Sequence, residues 1–365
     1  MEVSMKKRTV FFCCAIAFLV VFGVIALYLR NAPEQGGERA AFVFTDSAGR
    51  EINLPSPIRR IAPYGSLAEM YLIPLAPDLF CAKTAPSRSG EAEFLPSGLS
   101  ALPSIGQFYG QATFSPEEVA RIRPDVIIDI GETKKSIAKD MDDISAITGI
   151  PVIHIHADLR STPEAFRTLG KLLDRAEKGE ELALFCEKIL TRAEGIMRRV
   201  GTAKKSVLYC MGNKGLNVLA RNSWHSEIID WMTDNLALVD TPSSRGSGNE
   251  SNMEQLLLWN PEVLFFGPGS VYGSVKNDPV WREFRAVASG AYYEVPFGPY
   301  NWLGTPPSIN RYLGILWMGA VLYPQYASYD LYTETREYYR LFYNYDLSRE
   351  RFAELTARSL KNTKE

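Results

Sequence analysis

The sequence predicts an α/β protein of two lobes, and a repeated helix-strand unit is the main observation behind this fold class. Residues 115–131 read Ser-Pro-Glu-Glu-Val-Ala-Arg-Ile-Arg-Pro-Asp-Val-Ile-Ile-Asp-Ile-Gly, and residues 252–267 read Asn-Met-Glu-Gln-Leu-Leu-Leu-Trp-Asn-Pro-Glu-Val-Leu-Phe-Phe-Gly. Each copy has a cap residue and a short apolar-periodic helix, followed by proline, an acid and β-branched or aromatic residues, which indicates a helix leading into a buried strand. Two copies so far apart indicate related lobes, because solenoid repeats are about 20 to 50 residues long.

Chain length and element order support the same fold class. The 365 residues exceed the usual single-core limit of about 250 to 300 residues. Predicted strands and helices alternate, which is typical of α/β folds. We predict an N-terminal lobe at 42–160, connecting helices at 161–200 and a C-terminal lobe at 201–360. A ligand cleft is expected between the lobes, since small-molecule sites favour such interfaces.

The N-terminal residues predict an exported protein. Lys6, Lys7 and Arg8 precede an uncharged run from Thr9 to Leu29, which is long enough to cross a bilayer as a helix. The positive flank stays inside, so the following chain lies outside the cytoplasm. A cleaved signal has a shorter apolar core of about 7 to 15 residues, which favours an uncleaved anchor at 1–30, with a signal peptide as the alternative. Residues 31–41 are predicted to be a linker.

In the N-terminal lobe, alternating runs around Asp-Ser-Ala-Gly predict a hairpin over 42–55. A short strand around Ile61 leads to a helix capped by Ser66. After the first repeat unit, the pattern predicts a helix at 134–148 and a strand at 150–156. Residues 162–200 have helical periodicity and few breakers, which predicts a long helical connection.

In the C-terminal lobe, the pattern predicts strands at 206–210 and 216–220 and a helix at 226–235. A helix at 279–287 and a strand at 291–295 follow the second repeat unit. The remaining chain is helical and rich in aromatic residues, which are expected to pack helices onto the lobes.

Composition excludes some functions. A net charge of -2 argues against nucleic-acid binding, which favours a basic surface. The glycine-rich segments 212–215 and 246–248 lack the ending of a phosphate-binding loop, and no nucleophile elbow is present. We therefore predict no enzyme activity and no cofactor. Cys81, Cys186 and Cys210 have no metal-like spacing and are predicted to be buried thiols.

Helix capping explains most of the repeated residues. Ser115 and Asn252 are predicted N-caps, with Glu118 and Gln255 completing capping boxes. Glu117 and Glu254 are then left at the second helical position. A favourable interaction with the helix dipole accounts for them. The alternative is that they form a paired docking feature on one rim.

Several motifs together resemble a known family. Thr45–Arg50 with Leu54-Pro55, Arg59–Ile61, Pro124–Ile128, the helical connection and Glu254–Leu264 are similar, in order and spacing, to the binding proteins of bacterial importers for ferric siderophores, haem and vitamin B12. The resemblance covers roughly residues 42–355. It implies two Rossmann-like α/β lobes joined by one long helix, a shallow cleft with little closure, and an ATP-driven (ABC) permease as partner. It also implies that Glu117 and Glu254 meet arginines of that permease.

The expected ligand is a bulky, partly apolar, anionic metal chelate, because the predicted strand-end loops carry aromatic and basic side chains. The candidate ligand contacts are Tyr64, Ser66, Tyr109, Trp224, His225, Arg245, Tyr300, Trp302 and Arg311. Pro299–Trp302 and Arg311 resemble a family segment near the cleft.

A ferric siderophore is the first candidate ligand, with cobalamin and haem as alternatives. A bare metal ion fits poorly, since the chain has three histidines. His154 and His156 are interpreted as strand-end residues hydrogen-bonded within the first lobe, and His225 as a ligand contact. Two other functional classes remain as alternatives: a chelatase using His225 and Glu250, and a membrane-anchored sensor. The protein is expected to be a monomer.

Overall fold

A three-stranded parallel sheet in the order β3-β4-β5 forms the centre of the first lobe, beside a separate two-stranded hairpin. The strands of the first lobe are β1 (Ala41–Thr45) and β2 (Glu51–Pro55) in the hairpin, and β3 (Ile61–Pro63), β4 (Val126–Gly131) and β5 (Val152–His156) in the sheet. Its helices are α1 (Ser66–Leu72), α2 (Pro116–Ile122) and α3 (Ile137–Thr148). Every residue of β4 is buried, as expected for the central strand of a covered parallel sheet.

This computed structural model describes residues 40–85, 93–108 and 113–360. The described residues from 42 onward cluster as one unit. The predicted anchor or signal segment at 1–30 and nearly all of the linker lie outside the described residues. Within the described ranges, no helix has the length and apolar character needed to span a membrane.

Asp46 fixes the hairpin turn to the first sheet, which explains the Thr45–Arg50 motif. One carboxylate oxygen accepts hydrogen bonds from the backbone amides of Ala48 and Arg50, at 2.9 and 3.0 Å. The other oxygen accepts from the Arg50 guanidinium and from the backbone amide of His154 in β5. The predicted hairpin is therefore confirmed, and its turn is attached to the strand that carries two histidines.

The connection between the lobes is a helical hairpin. α4 (Thr162–Leu172) is followed by α5 (Ala176–Val200), and the turn between them contains Asp174 with a φ of 56°. A Cβ atom added to Gly170 would lie 3.0 Å from the Cα of Gly179, so the two helices touch through their backbones. The single bridging helix implied by the resemblance is therefore accompanied by a second, tightly packed helix.

The second lobe contains a six-stranded sheet in the order β11-β10-β6-β7-β9, with β8 also paired to β6. Its strands are β6 (Ser206–Met211), β7 (Asn217–Val218), β8 (Asp234–Asn235), β9 (Asn249–Glu250), β10 (Val263–Phe266) and β11 (Tyr292–Glu294). Its helices are α6 (Glu227–Met232), α7 (Met253–Trp259), α8 (Arg285–Ala288), α9 (Arg311–Leu322), α10 (Leu331–Tyr343) and α11 (Arg349–Thr356). β6, β8, β10 and β11 pair in parallel, and β7 and β9 antiparallel.

Both copies of the repeat form the predicted capped helix. Ser115 Oγ accepts from the Glu118 amide at 3.3 Å, and Asn252 Oδ1 accepts from the Gln255 amide at 2.9 Å. In the first copy, the Glu118 carboxylate binds Arg121 at 2.8 Å instead of returning to the cap. The N-caps are confirmed, but the Glu118 half of the predicted capping box is wrong.

The acid that follows each proline joins the repeat unit to its neighbouring strand. Asp125 Oδ2 accepts hydrogen bonds from the amides of Arg59 and Arg60, at 2.7 and 2.9 Å. Glu262 Oε2 accepts from the amide of Ser206 at the start of β6, at 3.0 Å. The repeated acids therefore have the same structural role, which is to bind backbone amides at the beginning of an adjacent segment.

Two helix boundaries in the prediction are wrong. Ser66 is the first residue of α1, and the cap position belongs to Gly65, which has no side chain. The helix predicted at 226–235 ends at Met232 because Thr233 is extended, and its hydroxyl donates to the Ile229 carbonyl at 2.6 Å.

The strand predicted at 216–220 is shortened to β7, and the helix predicted at 279–287 is divided into a 3-10 turn at Trp281–Glu283 and α8. Asp278 Oδ1 accepts from the amides of Val280 and Trp281, and this local turn competes with a longer helix.

The C-terminal helices pack on the lobes through aromatic side chains, as predicted. Tyr338 and Phe342 of α10 stack with ring centroids 4.2 Å apart. The aromatic residues of this region that are at most 4% exposed are Tyr312, Trp317, Tyr323, Tyr338, Tyr339, Phe342 and Tyr343. Cys81, Cys186 and Cys210 are free and buried, which confirms the prediction for the thiols.

Candidate ligand cleft

The carboxyl ends of the parallel strands define the candidate cleft, because ligands of α/β sheets bind outside these ends. In the first lobe β4 and β5 end at Gly131 and His156, and in the second lobe β6 and β10 end at Met211 and Phe266. The following loops and the loop before β9 expose the charged side chains Glu132, Lys134, Lys135, Arg160, Lys214, Asp240, Arg245 and Lys276. Cationic groups outnumber carboxylates in this set, which favours an anionic ligand.

The two lobes meet at the floor of this region. His156 of the first lobe lies 6.3 Å from Trp224 of the second, measured between ring centroids. The backbone amide of Leu159 donates to both carboxylate oxygens of Glu227 at 3.2 Å, and its carbonyl accepts from the Tyr312 hydroxyl at 2.7 Å. Second-lobe side chains therefore hold both backbone polar groups of one first-lobe residue.

Arg311 stabilises this junction between the two lobes from a buried position. Its side chain is 1% exposed, and its guanidinium forms an ion pair with Glu227. The guanidinium carbon also lies 5.9 Å from the centre of the Trp224 ring, in cation-π range. Burial raises the pKa of Glu227 above its ordinary value, against the lowering effect of the Arg311 charge. Arg311 thus positions Glu227 and Trp224 and does not itself line an open surface.

A chain of hydrogen bonds crosses the carboxyl end of the first sheet. Strand register places Asp129 beside His154, and Asp129 Oδ2 lies 2.6 Å from His154 Nδ1. His154 Nε2 is 2.9 Å from Thr133 Oγ1, which is 3.0 Å from His156 Nδ1. Both histidines are therefore hydrogen-bonded within the first lobe, as predicted.

Asp158 ends this chain at the cleft surface. Its Oδ1 accepts from the amide and hydroxyl of Ser161, at 2.6 and 2.7 Å, while Oδ2 lies 3.4 Å from His156 Nε2. The His156 and Asp158 side chains are 37% and 33% exposed. Burial alone raises the pKa of Asp158, but the Ser161 hydrogen bonds and nearby His156 outweigh it, and the pKa lies below its ordinary value. Asp158 therefore presents an ionised carboxylate.

Tyr64 was predicted as a ligand contact, but it belongs to a buried hydrophobic cluster of the first lobe. It is 3% exposed and stacks on Phe108, with ring centroids 4.0 Å apart. Burial, and then the negative charge of Asp129, raise the pKa of Tyr64, so the phenol remains neutral. Ser66 is half-buried at the start of α1. Tyr109 lies outside the described residues.

His225 is buried and bonded on both sides. Its Nδ1 lies 2.6 Å from the Gly304 carbonyl oxygen, and its Nε2 lies 3.2 Å from the Ser244 carbonyl oxygen. A Cβ on Gly304 would come within 1.7 Å of the His225 carbonyl oxygen, so the two segments are in close contact. The structure gives His225 a packing position between two loops, with neither ring nitrogen directed to open space.

The remaining predicted ligand residues lie in different environments. Arg245 is exposed in the loop that precedes β9, and Trp224 is half-buried. Tyr300 and Trp302 are 7% and 0% exposed and belong to the hydrophobic core. In this conformation the cleft surface is therefore formed by Trp224 and Arg245 rather than by Tyr300 and Trp302.

Glu117 and Glu254 are both exposed at the second position of their helices. Among the described residues neither forms an ion pair within 4.0 Å. Their prediction as a docking pair is untested by the fold alone.

Sequence reasoning missed three polar residues of the cleft floor: Thr133, Asp158 and Glu227. Thr133 and Asp158 follow the ends of β4 and β5, so a search of every polar side chain after a buried strand finds them. Glu227 gives no such signal, because its partners Arg311 and Leu159 are far away in sequence.

Two α/β lobes with a cleft at their strand ends and a helical connection define a class of extracytoplasmic binding proteins. Residues 75–298, more than half of the chain, match the family model described as periplasmic binding protein. The chain therefore belongs to the periplasmic binding protein family. Members of this family are carriers that serve ABC importers, so membership implies a permease partner, a small-molecule ligand and an extracytoplasmic location.

Solved structures agree with this assignment. An ABC transporter solute-binding protein from Sulfurospirillum deleyianum is 27% identical with a TM-score of 0.77, and the match covers 86% of this chain and 99% of that chain. The molybdate-binding protein MolA from Haemophilus influenzae is 16% identical with a TM-score of 0.67, covering 84% and 99%. The catecholate-siderophore-binding protein VctP from Vibrio cholerae is 18% identical with a TM-score of 0.56, covering 76% and 99%.

Proposed function

We propose that this protein captures an anionic metal chelate, with a ferric siderophore as the first candidate, and delivers it to the permease of its importer. The cleft surface supports this proposal, because Trp224 is half-buried and the loops of this region expose cationic side chains that include Lys214 and Arg245. An aromatic side chain offers a large contact area, and arginine can bind a carboxylate or catecholate through two hydrogen bonds. The catecholate siderophore in the name of the Vibrio cholerae protein adds support from the same fold.

Of the nine predicted ligand residues, Trp224 and Arg245 are proposed as direct contacts because they reach the surface. Arg311 and His225 are proposed to act indirectly, by holding Trp224 and the surrounding loops in place. Cobalamin and haem remain alternative ligands of the same cleft. The proposed role is that of a carrier, and no catalytic step is included.

Ligand titration tests the proposal. The full-length protein is purified in detergent and titrated with ferric siderophores, haemin, cobalamin and molybdate, followed by calorimetry and tryptophan fluorescence. We expect saturable binding of one member of this set, with quenching of Trp224 by the chromophoric ligand. Absence of heat and of quenching with every compound would contradict the proposed function.

Two variants make the titration specific to the cleft. Trp224→Phe should remove most of the quenching while calorimetry still detects the ligand. Arg245→Gln should weaken binding of an anionic chelate by about tenfold, the loss expected for one charge-assisted contact. Arg198→Gln is the matched control. Arg198 is exposed in the last turn of α5, which leads to the amino end of β6, whereas the cleft lies at the carboxyl ends of the strands.

We also propose that Glu117 and Glu254 contact the permease. Each of these helices leads through a short turn into a strand, so a helix antiparallel to that strand would carry its glutamate toward the strand end that borders the cleft. Exposed charge pairs act mainly on encounter and orientation. Two such contacts, one on each lobe, would orient the cleft toward the transport path.

Finally, we propose that the apolar run Thr9–Leu29 holds the protein, as a monomer, at the outer face of the cytoplasmic membrane. Retention in the membrane fraction after an alkaline wash, with the N-terminus intact, is the expected result. Release in soluble form with a new N-terminus near Ala26 would instead indicate a cleaved signal.

A further inference from the structure

The second copy of the repeat unit exposes an apolar side chain that the fold does not use. Among the large apolar side chains that the structure describes, Leu258 of α7 is the most exposed, at 78%. α7 contacts the core of its lobe through buried Leu256, with Met253, Leu257 and Trp259 half-buried against it. Leu258 stands outside that cluster, so core packing gives no reason for an apolar residue at this position.

Leu258 shares its helix face with Glu254. Residues four apart are neighbours on a helix surface, and both of these side chains are exposed. Met253 and Leu257, which are also four apart, form a half-buried apolar row beside them. A single exposed leucine is ordinary on a protein surface. This one continues an apolar row, and it lies next to a carboxylate that forms no ion pair among the described residues.

The equivalent face of the first copy is polar. Arg121 takes the position of Leu258, and its guanidinium binds Glu118 of the same helix at 2.8 Å. The row beside it consists of Pro116 and exposed Ala120, which are smaller than the residues of the row in α7. Both helices therefore present a glutamate at their second position, but the first adds an ion pair that is closed within the helix and the second adds a bulky apolar surface.

We propose that Leu258 enters an apolar pocket of the permease, beside the cationic side chain that Glu254 contacts, and that this contact supplies most of the docking affinity. The inference rests on the proposed function, which assigns both glutamates to the permease. An exposed ion pair strengthens binding by at most about fivefold. Burial of a whole leucine side chain strengthens it by about 10- to 100-fold. The glutamates then determine orientation, while Leu258 adds affinity and excludes water from the Glu254 contact.

The test uses the ABC permease that co-purifies with the full-length protein from its native membranes. The permease is immobilised in detergent, and binding of the full-length protein is followed by surface plasmon resonance. Leu258→Asn should weaken docking by at least about tenfold, because a polar side chain loses the apolar contact. Leu258→Met keeps the apolar volume and should retain the wild-type affinity. Leu184→Asn is the matched control, since Leu184 is 53% exposed on α5, outside both repeat units.

Salt provides a second measurement, which a purely structural role of Leu258 would not change. An ion pair from which water is excluded is screened less than an exposed one. The affinity of Leu258→Asn should therefore fall more steeply with added salt than the affinity of the wild type. Because Leu258 is exposed, the circular dichroism and ligand affinity of this variant should match those of the wild type.

Three outcomes would contradict parts of this assignment. If wild type and Leu258→Asn bind the permease equally well, the inference is wrong and the proposed function stands. If light scattering shows that the protein alone is a dimer and that Leu258→Asn dissociates it, the apolar surface belongs to a second copy, which also overturns the inference. If the wild type binds no permease at any concentration, the proposed delivery function itself fails.

Discussion

The two copies of the helix-strand unit share one backbone design but differ in what they expose. α2 and α7 each have seven residues, and each ends at a left-handed residue, Arg123 with a φ of 51° and Asn260 with a φ of 36°. In each copy proline and an acid then lead into a buried strand. The position four residues after the repeated glutamate is Arg121 in the first copy and Leu258, 78% exposed, in the second.

This comparison separates residues that the fold explains from residues that are proposed to contact a partner. The caps and the acids after proline have internal hydrogen-bond partners in both copies, so the fold explains why they repeat. Glu117 and Glu254 repeat without an ion-pair partner among the described residues. Arg121 and Leu258 do not repeat at all, and each copy therefore presents a different surface beside a common carboxylate.

The largest expected effect comes from removing the common carboxylates. In Glu117→Ala/Glu254→Ala, we expect uptake of the identified ligand to fall to the level of a strain that lacks the protein, because both oriented contacts with the permease are lost. Each single variant should retain part of the uptake. Ligand affinity, measured by calorimetry on the purified protein, should not change.

Glu177→Ala is the matched control for this double variant. Glu177 is exposed and also stands at the second position of a helix, α5, but it lies outside both repeat units. Its removal takes away the same favourable interaction with a helix dipole. Normal uptake in Glu177→Ala, beside failed uptake in the double variant, would show that position matters. A loss of ligand binding in the double variant would contradict the docking assignment.

A smaller effect is expected for the acids that bind backbone amides. Asp125→Ala leaves the amides of Arg59 and Arg60 without their shared carboxylate, and should lower the free energy of unfolding by about 2 kcal/mol. Glu262→Ala should also destabilise the protein, and by less, because its side chain is 37% exposed. Urea unfolding followed by circular dichroism measures both changes. Equal stability of wild type and Asp125→Ala would refute the proposed structural role.

The contribution of Glu262 also depends on pH. The Ser206 amide, and then Lys205, hold the pKa of Glu262 below its ordinary value of 4.5. A carboxyl whose pKa is lowered by folding stabilises the protein above its unfolded pKa, and this stabilisation is lost as the pH falls through the folded value. The stability difference between wild type and Glu262→Gln should therefore shrink as the pH falls below about 4.5.

Local signals made much of the fold predictable. Ser115 and Asn252 sit just before periodic apolar residues, and β4 and β10 are nearly continuous apolar runs, so both units were predicted almost residue by residue. β8 and β9 were missed, because two-residue strands have no periodicity and depend on pairing with distant partners. The turn at Asp174 between α4 and α5 was missed since neither glycine nor proline marks it.

The candidate cleft was less predictable than the fold. Trp302 and Arg311 were expected at the ligand surface, but whether a large side chain faces the cleft or the core depends on tertiary packing. His154 and His156 were correctly interpreted as hydrogen-bonded strand-end residues, but their partners Asp129 and Thr133 were not predicted. Strand register, which joins Asp129 to His154, decides how the His156 ring is oriented, and the sequence alone does not contain that register.

The smallest expected effect concerns the two helix caps. Both Ser115→Ala and Asn252→Ala remove a side-chain acceptor from the third helical amide, which typically costs about 1 kcal/mol. The Asn252 bond is 2.9 Å long and the Ser115 bond 3.3 Å, so Asn252→Ala should be the more destabilising of the two. Replacement by Asp in each position keeps an acceptor and serves as the control. If Ser115→Ala proves the more destabilising, the first cap must have a further role, since the weaker hydrogen bond could not explain that order.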